Sequence, residues 1–171
     1  SEALDTLCDE LCPVIFDPEV LPKRVDKTDG KDIVASSACN YYEGVSQQEV
    51  EAFYGNMTDN NDACPPSYGL NSKLVKDADG NIAEQVWHEG GMYGAAISHV
   101  IMWLDKAKDY AENERQKQVI DLLIQYYRTG DLKTFDDYSI EWLSETEGDI
   151  DFINGFIEVY GDPLGLKASW E

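Results

Sequence analysis

The sequence predicts an α+β fold: a helix-rich domain with a bundle-like C-terminal half and a β-hairpin or small sheet in its N-terminal half. Residues 72–77 and 81–88 are strand-like stretches on either side of an Asp79-Gly80 turn, which indicates a β-hairpin. From about residue 95 onward, apolar residues recur at helical spacing with short connections between them, which indicates a helical bundle. At 171 residues the chain suits a single domain.

The N-terminal part is predicted to contain two helices separated by a long loop. Residues 1–11 have helical spacing, and Pro13 is expected to stop them because it has no backbone N–H. Residues 13–40 are rich in turn formers and predict a loop with short extended pieces. The next helix is expected to begin at Ser46, since Ser46 and Glu49 fit a capping box. Its predicted apolar face consists of Val50, Phe53, Tyr54 and Met57.

Four helices are predicted in the C-terminal half. The first runs from about Ala95 to Asn113, the second ends at Gly130, the third carries the apolar residues from Leu132 to Leu143, and the fourth covers roughly residues 150–160. The predicted apolar face of the first helix is Ala96, His99, Val100, Trp103, Ala107 and Tyr110. That of the second is Val119, Ile120, Leu123, Ile124 and Tyr127.

Acidic side chains dominate the composition. There are 34 Asp and Glu against 13 Lys and Arg, and the formal net charge is −21. Such a field repels phosphate backbones and anionic membranes, so neither is an expected partner, whereas a cationic peptide N-terminus would be attracted. No apolar run approaches the ~20 residues of a membrane span. We expect reduced cysteines and a cytoplasmic protein, with a periplasmic or lipoprotein parent left open; the cysteines are Cys8, Cys12, Cys39 and Cys64.

No catalytic or metal-binding constellation is predicted in this chain. His88-Glu89 lacks the second histidine one helical turn later that a helical zinc motif requires, and His99 lies in a predicted helical stripe. The polar residues that stand out are Asp151, Asn154 and Glu158, whose spacing of three and four places them on one face of the predicted fourth helix. A solvated polar stripe is the alternative interpretation of these three.

Five segments in the same order carry a resemblance to a known family. Residues 40–44, 67–74, 91–93, 104–111 and 155–165 resemble motifs of the dipeptidyl peptidase III family, and the last of them reads Gly-Phe-Ile-Glu-x-Tyr-x-Asp-Pro-x-Gly. That family comprises zinc exopeptidases that remove dipeptides from peptide N-termini. Its zinc motif, His-Glu-x-x-Gly-His or a longer variant, is absent from these 171 residues. Gly161 stands where eukaryotic members commonly have Arg, which implies a bacterial-type member.

The resemblance implies that residues 1–171 are a single domain, a truncated part of the non-zinc, substrate-cleft lobe of a larger zinc metallopeptidase. Zinc and the catalytic residues would belong to the full-length parent, this piece alone would be inactive, and its partners would be the peptide substrate and the remainder of its own chain. The alternative is an acidic α+β protein-binding or adaptor domain without enzyme activity.

The resemblance also implies substrate-binding residues. In the family, a Glu and a Tyr just ahead of the Gly-Phe-Ile-Glu run help to hold the N-terminal end of the substrate. By position these fall on Asp151 and on Ile153, where the hydroxyl is lost. The residues expected to bind substrate are Asp151, Asn154, Glu158, Tyr68 and Asn71.

Overall fold

The computed structural model describes residues 2–17 and 19–171. Within them the chain forms helices and short strands that confirm the α+β class. The helices are α1 (Glu2–Phe16), α2 (Ile33–Ser36), α3 (Gln47–Met57), α4 (Gly94–Ala107), α5 (Glu114–Thr129) and α6 (Leu132–Ser144). The strands are β1 (Tyr42–Glu43), β2 (Ser72–Lys76), β3 (Ile82–Val86), β4 (Phe156–Glu158) and β5 (Ser169–Trp170).

Three strands form a small mixed sheet in the order β1-β2-β3, in which β1 is parallel and β3 antiparallel to β2. The predicted hairpin is therefore confirmed. Its turn depends on Gly80, whose φ of 86° lies in the left-handed region and whose amide donates to Asp77 O at 3.1 Å. The sheet packs on α3 through a core cluster, hereafter the sheet core, with the buried members Val34, Val45, Val50, Tyr54 and Leu74.

Helix α3 begins as the sequence predicts. Ser46 is its N-cap, the Ser46 amide donates to Glu49 Oε2 at 2.9 Å, and the Glu49 amide donates back to Ser46 Oγ at 3.4 Å. Val50 and Tyr54 are buried, whereas Met57, at the end of the predicted apolar face, is exposed.

Helix α5 is the centre of the second core cluster, hereafter the helical core. All five residues of its predicted apolar face are buried, and Gly130 ends the helix with a left-handed φ of 70°. Helices α4 and α6 both pack against α5. The buried members are Ile97, Ile101, Val119, Ile120, Leu123, Ile124, Tyr126, Tyr127 and Tyr138.

Helix α1 continues through Pro13 to Phe16, so the predicted stop at Pro13 is wrong. Proline removes one backbone donor, but α1 is exposed along its length, and water can satisfy the carbonyl that this leaves free. The helical pattern resumes after it, since the Asp17 amide donates to Pro13 O at 2.9 Å.

The face and end predicted for the first bundle helix are also wrong. Helix α4 ends at Ala107 and buries Ile97 and Ile101 against α5, whereas Trp103 is 63% and Tyr110 is 85% exposed. The sequence is apolar on two sides of this helix, so periodicity alone did not identify the side that α5 covers. Asn113 belongs to the next helix, because its side chain caps α5.

The predicted fourth helix does not form. Residues 150–160 are extended, and β4 pairs with β5 in an antiparallel ribbon whose register joins Phe156 to Trp170. The segment contains Gly155 and several β-branched residues, which disfavour a helix and favour a strand. Half-buried Phe152, Asn154 and Phe156 alternate with exposed Ile153 and Ile157, so the true period is two.

Candidate functional site

Aromatic side chains of α5 and α6 hold the extended segment 150–160 in place. Trp142 Nε1 of α6 donates to Asp151 Oδ1 at 2.9 Å. The Tyr127 hydroxyl of α5 donates to Asn154 Oδ1 at 2.7 Å, and the Tyr138 hydroxyl donates to Asn154 O at 3.1 Å. Burial raises the pKa of Tyr138 to about 12, so this phenol is a neutral donor at ordinary pH. The bundle thus fixes both the backbone and two polar side chains of the segment.

The three polar residues predicted to share a helix face do not share one, because the segment is extended. Asp151 is exposed to solvent. Asn154 is half-buried on the side that faces α5 and α6. Glu158 is half-buried in β4, seven residues along an extended chain from Asp151. The structure therefore separates Asp151 from Glu158 instead of bringing the two carboxylates together.

A carboxylate–phenol pair occurs where the sequence interpretation did not look for one. The Tyr160 hydroxyl donates a hydrogen bond to Glu158 Oε2, and Tyr160 is 71% exposed. This hydrogen bond to the Glu158 carboxylate raises the pKa of the Tyr160 phenol. The signal in the sequence was the Glu-x-Tyr spacing, which places both side chains on one side of an extended chain but on different faces of a helix. Because a helix was predicted here, this spacing was not recognised as a pairing of the two side chains.

The loop 161–168 follows this pair and is built around a buried carboxylate. Asp162 is 4% exposed, and its Oδ2 accepts from the Tyr42 hydroxyl at 2.9 Å, the Leu166 amide at 2.8 Å and the Lys167 amide at 2.9 Å. The Asp162 amide donates to Val159 O at 3.0 Å, which ties the loop to the strand residue between Glu158 and Tyr160.

Lys167 is fully buried at the end of the loop. Its Nζ lies 2.7 Å from the Tyr54 hydroxyl, 3.0 Å from Gly69 O, 2.9 Å from Ser72 O and 3.1 Å from Ser72 Oγ. Burial lowers the pKa of this amine to about 8, against the opposing influence of the Glu84 and Asp162 carboxylates.

Gly161, the first residue of this loop, is covered by the side chain of Arg24. A Cβ at Gly161 would lie 2.3 Å from Arg24 Nη2, so the guanidinium of Arg24 fills the space beside this residue. The absence of a side chain at position 161 thus makes room for a cation from the loop before α2.

Tyr68 and Asn71, the two other predicted substrate-binding residues, occupy different environments. Tyr68 is half-buried and lines a groove of about 470 Å³ between α3 and residues 159–166, which include the first part of the loop 161–168. Asn71 is 2% exposed, and its Nδ2 donates to Gly130 O at 2.9 Å. This hydrogen bond links the start of the hairpin to the end of α5.

A second cavity, of about 310 Å³, has an almost entirely apolar lining in the helical core. Tyr93 at its edge has a φ of 62°, a left-handed conformation that is uncommon for a non-glycine residue. The lining residues are Trp87, Tyr93, Ala96, Ile97, Val100, Tyr126, Tyr127, Phe156 and Trp170.

The residues present do not fit a zinc site. Across 2–17 and 19–171, no group of three or more His, Cys, Asp or Glu side chains is placed to hold a metal ion. His88 Nδ1 accepts from the Gly90 amide at 3.2 Å, and His99 lies exposed on α4. All four cysteines are free thiols. The described part of the chain also contains no helix long and apolar enough to cross a membrane.

Comparison with known proteins gives one family. The model of Peptidase family M49 matches residues 65–171. Over 81 residues, the chain is 31% identical to dipeptidyl peptidase 3 of Nematostella vectensis and 31% identical to dipeptidyl peptidase 3 of Homo sapiens. These matches cover 47% of this chain and 11% of each relative, so the matched segment spans about a tenth of those proteins.

Solved structures share the fold. DPP III from Caldithrix abyssi aligns with a TM-score of 0.59 at 17% identity, covering 86% of this chain and 28% of that one. Dipeptidyl-peptidase III from Corallococcus sp. strain EGB aligns with a TM-score of 0.54 at 18% identity, covering 77% and 23%. At these identities the alignments establish similarity of fold alone.

Proposed function

This chain belongs to peptidase family M49, and from that membership we propose that it is part of a dipeptidyl peptidase III-like zinc metallopeptidase that releases dipeptides from peptide N-termini. Its contribution is to the substrate-binding lobe. Because its own residues do not fit a zinc site, the zinc and the bond-cleaving groups are assigned to other parts of the complete enzyme. The 171-residue chain alone is inactive in this proposal.

The observation that carries the proposal is the Glu158–Tyr160 pair. It lies inside the region matched to the family, on an extended segment that the helical bundle holds in place. An enzyme that removes dipeptides must measure two residues from a free amine, and a fixed carboxylate does so by pairing with the ammonium group. The phenol beside the carboxylate supplies a second polar contact in the same place.

Asp151 is the candidate for holding the ammonium that the resemblance to the family assigns by position. Its carboxylate is exposed, but one oxygen already accepts from the Trp142 indole, and the residue two positions on is Ile153 rather than a tyrosine. Among the described residues, the carboxylate with an adjacent phenol on the same segment is Glu158. Asp151 by its position and Glu158 by its adjacent phenol are therefore the two candidates, with Tyr68 contributing to the neighbouring groove. Asn154 and Asn71 have structural roles in this proposal, because their polar groups bind α5 and its C-terminal cap.

Kinetics of the complete, zinc-loaded protein test this assignment. Glu158→Gln keeps the size of the side chain and removes its charge, and it should lower kcat/KM on a free-amine peptide about 10- to 100-fold, since a partly desolvated pair loses one charge. Asp149→Asn, in the same acidic region, is the matched control and should change kcat/KM less than about threefold. A large loss of kcat/KM in Asp151→Asn alone would show that Asp151, and not Glu158, holds the ammonium. Equal effects of all three substitutions would show that no single carboxylate holds it.

Metal analysis tests whether the zinc and the bond-cleaving groups lie outside this chain. The purified 171-residue chain should contain no stoichiometric zinc and should hydrolyse no dipeptidyl substrate, because its described residues include no group of three His, Cys, Asp or Glu side chains placed to hold a metal ion. One tightly bound zinc per chain that is lost on His88→Ala would contradict the proposal.

The remainder of the same protein is the second partner that we propose. Large apolar side chains are exposed on both α4 and α6: Trp103 is 63% exposed on α4, whereas Ile140 at 62% and Leu143 at 70% lie three residues apart, and so side by side, on α6. Exposed apolar groups that lie close together on a surface mark sites of contact. We place the complete protein in the cytoplasm because all four cysteines are free thiols, three of them exposed. The alternative of an adaptor domain has no specific observation in its favour.

A further inference from the structure

Helix α1 (Glu2–Phe16) has an apolar face that the rest of the described chain leaves uncovered. Apolar residues recur every three or four positions along this face: Leu4, Leu7, Leu11 and Val14. Their exposed fractions lie between 41% and 57%. Ile15, on the same face, is 54% exposed. These side chains lie close together on one element, and an exposed apolar surface of this kind marks a site of contact.

A helix of this length and composition needs a packing partner to be stable. Helix α1 has 15 residues, about the length at which an isolated helix is marginal in water even when its sequence is rich in alanine. It also contains Pro13 and the β-branched Thr6 and Val14, which lower the helix propensity. Lys23 Nζ donates to Ile15 O at 2.6 Å, which attaches the C-terminal end of the helix to the following loop. The stability of α1 must therefore come from burial of its apolar face against something outside the described residues.

The charge of α1 restricts what that partner can be. The helix contains four acidic residues, Glu2, Asp5, Asp9 and Glu10, and no basic residue. A second copy would bring two acidic helices together in a chain whose formal net charge is −21, and an anionic membrane surface would meet the same repulsion. The partner that fits is an apolar groove with Lys and Arg side chains at its rim, because it complements both the apolar face and the acidic edges.

The remainder of the same protein is the source of such a groove that the comparisons favour. The chain aligns with 23% and 28% of the two solved structures that share its fold, so most of each of those proteins lies outside the aligned part. A groove on the same polypeptide meets α1 at a high effective concentration. One face of a short helix is then enough for a stable contact.

We propose that α1 is a docking helix, whose apolar face inserts into an apolar, basic-rimmed groove in the part of the same protein outside these 171 residues. This inference rests on the proposed function only in treating the chain as part of a longer protein. Leu4, Leu7 and Leu11 are the anchors, at the spacing by which an amphipathic helix fills a groove. The contact adds to those proposed above for α4 and α6.

Cys8 is a natural reporter of docking. It lies four residues after Leu4 and three before Leu11, and so on the same face, and its thiol is exposed in the described chain. Docking should slow its alkylation by iodoacetamide in the complete protein by on the order of tenfold or more, relative to the rate in the denatured protein. Cys64 is the internal reference, because it is also exposed and lies beside an acidic residue, Asp62.

Two substitutions on opposite sides of α1 test whether the apolar face gives the protection. Leu11→Ser removes an anchor next to Cys8 and should raise the alkylation rate of Cys8 on the order of tenfold. Asp9→Ser places the same residue on the acidic side and should change that rate less than about threefold. The comparison of Cys8 with Cys64 in the unmodified protein needs no variant, so it decides the question even if Leu11→Ser does not fold.

Three results would overturn the proposal. Equal relative rates at Cys8 and Cys64 in the purified complete protein would show that nothing in that protein covers α1. Protection that falls on dilution, with a dimer mass by light scattering, would show that a second copy is the partner. Equal effects of Leu11→Ser and Asp9→Ser would show that the apolar face is not the contact.

The proposed function is tested separately, because none of these measurements uses peptidase activity. A complete protein that protects Cys8 but hydrolyses no dipeptidyl substrate would retain the docking helix and lose the proposed function. A complete, active peptidase with an unprotected Cys8 would do the reverse.

Discussion

Lys167 gives the chain a pH dependence with a definite sign. Its pKa is about 8 in the folded state and 10.5 in the unfolded chain, so between these values the unfolded chain binds more protons than the folded one. The free energy of unfolding should therefore rise with pH in this window, by about 1–2 kcal/mol between pH 8 and 9.5. Denaturant titrations across that range measure it.

The control for this prediction is Lys167→Met, which should remove the rise. Buried tyrosines lower the free energy of unfolding as the pH approaches 10. Burial raises the pKa of Tyr54 and Tyr127, so these phenols lose their protons more readily in the unfolded chain than in the folded one. Both phenols are present in both proteins and titrate in the unfolded chain near pH 10, above this window, so they contribute little to the difference between the two profiles from pH 8 to 9.5. If the difference in free energy of unfolding between the unmodified protein and Lys167→Met is the same at pH 8 and pH 9.5, the Lys167 ammonium is not desolvated.

The sequence predicted residue roles where they depend on local chemistry, and failed where they depend on packing. Ser46 and Gly130 were identified because a cap needs only its own neighbours in sequence. The burial of Lys167 was not predicted, because its partners lie 95 to 113 residues away. Tyr160 was not recognised as a partner of Glu158, because their pairing depends on a backbone that the sequence pattern assigned wrongly.

At the scale of elements, the start of α3 offers a direct test of the capping box. Ser46→Ala removes the hydroxyl that accepts from the Glu49 amide and should lower the free energy of unfolding by about 1 kcal/mol. Gln48→Ala, exposed in the first turn of the same helix, is the control and should change it by less than about 0.5 kcal/mol. Equal effects in thermal or denaturant unfolding would show that the cap adds nothing to stability.

Residues 150–160 show why a helix was predicted where a strand forms. Ile150, Ile153 and Ile157 are three and four positions apart, as on a helix, but Ile153 and Ile157 also fit the alternation of a strand. The pairing of β4 with β5 decides between the two, because the Gly155 amide and carbonyl bind the Glu171 backbone at 2.8 and 2.9 Å. That contact joins residues 16 positions apart and cannot be derived from local spacing.

At the scale of the molecule, two cores support two kinds of structure. The helical core is centred on α5 and contains nine buried residues among the described ones, whereas the sheet core contains five. The ribbon of β4 and β5, with the loop between its strands, joins them. The fold class followed from composition and periodicity, but the arrangement of the cores about this ribbon is a tertiary property.

Hydrogen exchange of the 171-residue chain should show the difference between the cores. Amides of β3, an edge strand of a three-stranded sheet, should exchange faster than those of α5 around Leu123, which is fully buried. Fewer buried apolar partners lower the free energy of local opening, and a gap of about 1–2 kcal/mol would give roughly a five- to thirtyfold difference in rate. Lys167→Met should widen the gap by releasing the loop from the sheet core, and Leu123→Ala should narrow it. Equal protection in β3 and α5, unchanged in both variants, would show that the two cores open together as one cooperative unit, coupled through the ribbon of β4 and β5.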